Sequence, residues 1–236
     1  GWLMYAALIL LALVAALVVM QASPAEAQHQ ASRGYIGLSP SANLVWMSTD
    51  WGSNRPPGAT QELHYGDDVR FSLGGALFVG YAASQHISLE LGLQYISKGG
   101  SHGFEAVDEE GATCGETEQL IRLDYLTLPL MAVYRFSVGS LNLQAVIGPE
   151  VGFLLDATAE YKIPASCGMD DLEHDFSDYC ESVDLGISAG LRLRLPVGRL
   201  ALQPALVYSR GILDIGEKWK MHTNSVQCAV AIIFPL

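Results

Sequence analysis

The sequence predicts an all-β fold, an eight-stranded antiparallel up-and-down transmembrane β-barrel with short periplasmic turns and long outer loops. Three observations carry this. Apolar residues recur at every second position in eight segments, which is the period of a strand with one greasy face. Short turns alternate strictly with long polar stretches, as they do when strands cross a bilayer and one end faces the periplasm. The segments run to about 10 to 17 residues, longer than most soluble strands and sufficient to cross at a tilt.

Composition agrees. Half of the 236 residues are hydrophobic and only 16% are charged, yet no series of 20-residue apolar runs appears, which excludes a polytopic helical membrane protein. Twenty-five acidic against 13 basic residues give a formal charge of -12. A polyanion such as nucleic acid is therefore not an expected partner.

Gly1 to Met20 carry no charge and, apart from Gly1, are apolar, and Ala25-Glu26-Ala27 follows as a small-x-small pattern before Gln28. We read residues 1–27 as a cleaved signal peptide and 28–236 as the barrel domain, with an uncleaved anchor as the alternative. The missing Lys or Arg before Arg33 departs from the usual leader.

In the mature chain the first strand is expected from roughly Tyr35 to Met47. Val69, Phe71, Leu73, Leu77, Val79 and Tyr81 then alternate with small or polar residues, and after the turn Ala82 to His86 so do Ile87, Leu89, Leu91, Leu93 and Tyr95. Two runs joined so tightly make a hairpin. The design repeats in Leu120 to Phe136 with Leu141 to Asp156, and in Ser182 to Leu195 with Leu200 to Ser209, before a last strand from His222 to Phe234. The outer loops are then Ser48 to Asp68, Gly99 to Gln119, Tyr161 to Glu181 and Arg210 to Met221. Tyr81, Tyr95, Tyr134, Phe136, Tyr208 and Phe234 stand near strand ends as interfacial girdles. Around Leu126 to Val133 both faces are apolar; parity sends Leu126, Leu128, Leu130, Ala132, Tyr134 and Phe136 outward and Thr127 and Arg135 inward. Arg122 and Asp124 fall on the outward parity, above the hydrocarbon. Pro129, Pro149 and Pro204 interrupt strands and are expected to create bulges or gaps in pairing.

The segments ISLELGLQYISKGG (87–100), LDYLTLPLMAVYRF (123–136), GPEVGFLLDA (148–157), VDLGISAGLRL (183–193) and LQPALVYSRGILDI (202–215) together resemble the PorT-type outer-membrane barrels of Bacteroidetes-like bacteria. Thr127 replaces that family's usual acidic residue before the first proline, and the chain ends Phe234-Pro235-Leu236 rather than on an aromatic. The resemblance implies an outer-membrane eight-stranded barrel and no reaction; the namesake is linked to protein secretion.

Inward parity collects Arg70, Glu90, Gln94, Arg135, Asn142, Gln144, Glu150, Asp184, Arg192, Arg194, Gln203 and Gln227. Charges in a narrow lumen persist only when paired, so we expect Arg70, Glu90, Arg135, Glu150, Asp184, Arg192 and Arg194 to form a structural network across it. An eight-stranded barrel is filled by such side chains, and the expectation is that it does not conduct. The two long loops Gly99 to Gln119 and Ile163 to Glu181 hold twelve carboxylates and no Lys or Arg, which favours a solvated surface; the spacing of Asp171, Glu173 and Asp175 lacks the glycine of a calcium loop. Ser84, His86 and Ser88, and His222 with Ser225, invite an enzymatic reading, but no nucleophile elbow or carboxylate orienter accompanies them. We expect no catalytic residue, no cofactor and no metal. Of the four cysteines, Cys228 reads as a lipid-facing hydrophobe, and the short separation of Cys167 and Cys180 makes that pair the expected disulfide, with Cys114 odd or competing. The expected role is a non-enzymatic barrel in the outer-membrane lipid that displays acidic loops to an envelope or extracellular protein or ligand, or supports secretion; a small-solute pore and a lipid-modifying enzyme are the alternatives.

Overall fold

The computed structural model describes residues 33–50, 68–107, 113–167, 170–175, 177, 180–213 and 220–236. The proposed leader lies outside them. Nine strands are present among the described residues: β1 (Gly34–Asp50), β2 (Arg70–Ala82), β3 (Ile87–Val107), β4 (Thr113–Val138), β5 (Leu141–Lys162), β6 (Leu172–Asp175), β7 (Val183–Val197), β8 (Leu200–Gly211) and β9 (Lys220–Pro235). Eight of them close a ring. Each pairs antiparallel with its neighbours in chain order, β5 pairs β7, and β9 returns to β1, while β6 is a short strand added to the outer end of β5.

The lipid-facing surface is the alternation read from sequence. Leu73, Leu77, Val79, Leu89, Leu91, Leu93, Leu130, Ile147, Ile187 and Leu206 are each at least 45% exposed on the isolated chain, which in a bilayer means contact with acyl chains. On β4 the outward residues from Leu126 to Phe136 span about 33 Å along the strand at ~3.3 Å per residue, enough to cross a ~25 Å apolar band when tilted by about 40°. Tyr134 stacks on Phe136 at 6.2 Å at the periplasmic end, and Trp46 lies 6.3 Å from Tyr208 near the outer end. Above that band Arg122 reaches Asp124 at 3.8 Å and Asp156 at 3.6 Å.

Two periplasmic turns have only two residues. Gly139 and Gly198 open them with φ of 60° and 61°, the left-handed backbone that lets a hairpin turn match strand twist. Of the bulges or gaps expected at the prolines, the structure has gaps. Pro40, Pro129, Pro149 and Pro204 each coincide with a two-residue gap in one ladder, but the register continues unchanged on the far side. A missing N–H removes one bond without inserting a residue. The bulge between β4 and β5 is elsewhere, where Asp124 faces Asp156 and Tyr125 faces Leu154. It reverses inward parity on β5, from Glu150 and Gly152 to Ala157 and Ala159.

The largest departure from the sequence reading is on the outer side. Most of the supposed loop Gly99 to Gln119 is strand, because β3 continues to Val107 and β4 begins at Thr113; β5 likewise reaches Lys162. These three strands have 21, 26 and 22 residues, against 12 to 17 in the other five of the ring. One side of the barrel therefore rises as a wall beyond the membrane.

Candidate functional site

The lumen is filled in layers. At its outer end Met47, Ile96, Ile121, Leu123, Tyr125 and Met221 form an apolar cap with Ala157 and Cys180; Met47, Leu123 and Tyr125 have no exposed surface. Beneath the cap lies an ionic centre. Lys98 Nζ is 3.0 Å from Asp184 Oδ2 and 3.3 Å from Glu150 Oε1. Ser188 and Ser209 donate to Glu150 at 2.5 and 2.6 Å, and Thr223 donates to Asp184 at 3.0 Å. Lys98, Glu150 and Asp184 are 2%, 5% and 1% exposed. Desolvating them is offset only by these bonds, so removing one partner strands the rest.

Below this centre a cavity of about 70 Å³ is bordered by small residues, Ser41, Ala76, Gly92, Ala205 and Ala229 among them. A second charged layer closes it towards the periplasm. Glu90 accepts hydrogen bonds from Tyr35 Oη at 2.6 Å and Arg192 Nη1 at 2.6 Å. Arg192 stands 5.6 Å over the Phe78 ring, and Tyr35, Phe78, Ala201, Ala231 and Ile233 pack together beside it. Space for these rings comes from glycine: a Cβ on Gly37 would strike Phe78, and one on Gly80 would strike Tyr35.

All seven lumen residues named from sequence fall on inward positions, and the structure joins four of them. Glu90 meets Arg192, and Glu150 meets Asp184 through Lys98. Lys98 is the residue that sequence reasoning missed. It continues the even parity of Glu90 and Gln94, but Ile96 interrupts the polar run before it. Arg70 reaches no carboxylate among the described residues; it donates to the carbonyls of Lys98 and Ile121 at 3.4 and 3.3 Å and to Ser97 Oγ at 3.2 Å. Arg135 donates to Ser88 Oγ at 2.7 Å.

The disulfide expectation is corrected. Cys114 bonds to Cys167 across 53 residues, and Cys180 is a free, buried thiol. Chain separation favoured the pair 167 and 180, but the β3–β4 hairpin carries Cys114 up to the short 3-10 turn Ala165–Cys167 beyond β5, and its Cα lies 5.1 Å from that of Cys167. Burial pushes the Cys180 thiol up to about 11. Cys228 shares the outward face of β9 with Val226, Val230 and Ile232 and is free.

The wall itself is acidic. In the cross-strand register Glu105 stands opposite Glu116, and Glu160 opposite Glu173; like charges so placed repel. Some carboxylates are used locally. Asp171 accepts the Ile163 N–H at 2.9 Å and Asp175 that of Ser177 at 2.9 Å, and the Ser177 side chain and backbone hold the Asp175 carboxyl below its ordinary range. Among the described residues no group of His, Cys, Asp or Glu converges as a metal site. Ser84 Oγ accepts the N–H groups of His86 and Ile87 at 3.3 and 3.0 Å and so closes a turn. Ser188 and Ser209 spend their protons on Glu150 beneath an apolar cap, a poor position for attack on a substrate.

The family described as outer membrane protein beta-barrel domain matches residues 27–217. No curated protein matches the chain. Among solved structures the chain is similar to Ail, the attachment invasion locus protein of Yersinia pestis, at 12% identity, covering 86% of this chain and 99% of that one with a TM-score of 0.43. It is similar to Neisserial surface protein A at 13% identity, 88% and 100% coverage and a TM-score of 0.42. With the outer membrane protein AlkL the identity is 14%, the coverage 92% and 97%, and the TM-score 0.44.

Proposed function

Since the chain belongs to the outer membrane protein beta-barrel domain family, and is thus a protein of the bacterial outer membrane, we propose that it acts there without catalysis, by presenting its acidic outer wall to a basic partner. The observation that carries this reading is the register of the wall. Two glutamate pairs, Glu105 with Glu116 and Glu160 with Glu173, are set directly opposite one another although each opposition destabilises the sheet by roughly 0.2–1 kcal/mol. A cationic surface laid over them relieves that repulsion on binding. The partner is an envelope or extracellular protein or ligand with a basic face. The PorT-like segments support a finer version of the same reading, in which the partner belongs to protein secretion.

Crosslinking in native outer membranes, with identification of the captured protein, tests this. The expected capture is of one basic partner, weakened by salt and by E105Q E116Q; capture indifferent to both sinks the reading. A small-solute pore is the rival that planar bilayers address: the apolar cap predicts silence, and reproducible single-channel steps from the purified chain would replace display by conduction. A lipid-hydrolysis or acyl-transfer activity lost on substituting His86 or His222 would replace it by catalysis.

A further inference from the structure

The periplasmic mouth of the lumen is divided in two. β1, β2, β8 and β9 contribute the apolar cluster of Tyr35, Phe78, Ala201, Ala231 and Ile233. The opposite arc presents Ser88 on β3, Arg135 on β4, Asn142 and Gln144 on β5, and Arg192 and Arg194 on β7. Register brings these together: Arg135 is opposite Gln144, Gln144 opposite Arg192, and Asn142 opposite Arg194. Three guanidinium groups therefore flank β5 within one layer.

Only one of the three is neutralised. Arg192 has Glu90. Arg135 has a single hydroxyl, Ser88 Oγ, and its Nε is buried without a partner. Arg194 makes no hydrogen bond or ion pair among the described residues, and it stands across β5 from Arg135, one inward position further towards the periplasm. Gln144, 2% exposed, has its Oε1 unsatisfied in the same layer. The contrast with Lys98, which holds two carboxylates, is sharp. Two guanidinium groups sharing a narrow low-dielectric space repel unless an anion lies between them.

We propose that Arg135 and Arg194, with Ser88 and Asn142, form a binding site for an oxyanion that enters from the periplasm. Planar guanidinium forks match the oxygens of phosphate or carboxylate. Asn142 is exposed and stands beside the Ser137 hydroxyl that donates to its Oδ1 at 3.2 Å, so the site opens to the periplasmic side and its amide N–H₂ remains to donate. The same chemistry is offered by the phosphate of an inner-leaflet lipid and by a soluble periplasmic anion.

The test uses the full chain folded in a nonionic detergent, titrated calorimetrically with inorganic pyrophosphate and, separately, with dihexanoyl-phosphatidylglycerol below its micelle concentration. Saturable binding of at least one probe is expected: pyrophosphate alone assigns a soluble anion, the lipid alone a headgroup, and both assign the phosphate group itself. R194Q should weaken binding at least tenfold, the loss of about one charge-assisted contact, and R135Q R194Q should abolish it. R194K, which keeps the charge and loses the fork, should fall between. R199Q, in the exposed periplasmic turn, should bind as the parent does. Heat-modifiable migration on a gel confirms that each variant is folded. Binding of neither probe, or binding unchanged in R135Q R194Q, overturns the proposal.

Discussion

The barrel wall inside the membrane and its continuation outside are the same three strands in two solvents. Between Leu126 and Phe136, β4 has lipid on one side and packed lumen on the other, and its residues alternate between exposed and buried although both faces are apolar as far as Val133. Between Thr113 and Gln119 the same strand has water on at least one side, and the alternation fades. What holds the two parts also differs. The membrane part is held by lipid contact and by charges paired across the lumen, the outer part by a disulfide, by ladder bonds, and against its own glutamates. Strand length is thus legible only where a solvent enforces a face.

The largest effect should come from the buried centre of the membrane part. Lys98→Met leaves Glu150 and Asp184 without their cation, and breaking a buried pair in this way costs about 3–5 kcal/mol. Urea unfolding in bilayers should show that loss, and K98M E150Q D184N should recover most of it; a single variant as stable as the parent would mean that the centre is solvated. The disulfide comes next, for the outer part. Cys114→Ser should cost about 2–4 kcal/mol, with proteolysis confined to the wall while the gel shift on heating persists. Leu130→Arg, at 49% exposure in the lipid-facing belt, should cost about 2–4 kcal/mol near the midplane, whereas Thr113→Arg, exposed on the wall opposite Val107, should change stability by less than about 0.5 kcal/mol. Equal effects would erase the distinction between the two regions. The smallest effect is a gain: Glu116→Lys should stabilise the wall by roughly 0.2–1 kcal/mol while weakening capture of a basic partner. Thiol chemistry sharpens the boundary, because a thiol pushed up to about 11 stays protonated near neutrality. Cys180 in the folded protein should alkylate slowly at pH 8 and faster as pH approaches that value, with rapid labelling at pH 8 placing it outside the apolar cap.

How much was legible follows the same division. The eight ring strands, their order, the shortness of the periplasmic turns and the outward faces were readable because lipid demands one apolar face in every second residue. The outer half of β3 was not. Gly99-Gly100-Ser101-His102-Gly103 offers no alternation, and its pairing with Glu118 to Arg122 is carried by backbone bonds that leave no mark on side-chain type. Lys98 was hidden behind Ile96 for a related reason, since the apolar cap and the ionic centre are contiguous on one face and blur its polarity. The inward parity of Arg70, Arg135 and Arg194 was evident, but parity says which way a side chain points and not what it meets. The cysteine pairing failed because loop closure was judged along the chain, whereas the β3–β4 hairpin had already brought Cys114 close.

The bond between Cys114 and Cys167 carries a constraint on biogenesis. Both sulfurs end on the outer side of the membrane, so a bond made by the thiol oxidants of the periplasm must form before insertion. The hairpin of β4 and β5 then reaches the membrane as a closed covalent loop, its partners already chosen, and whatever machinery inserts the barrel must pass two tethered strands together rather than one after the other. A strain lacking periplasmic thiol oxidase should therefore accumulate the chain on the near side of the membrane if that loop guides assembly, and deliver it normally if it does not.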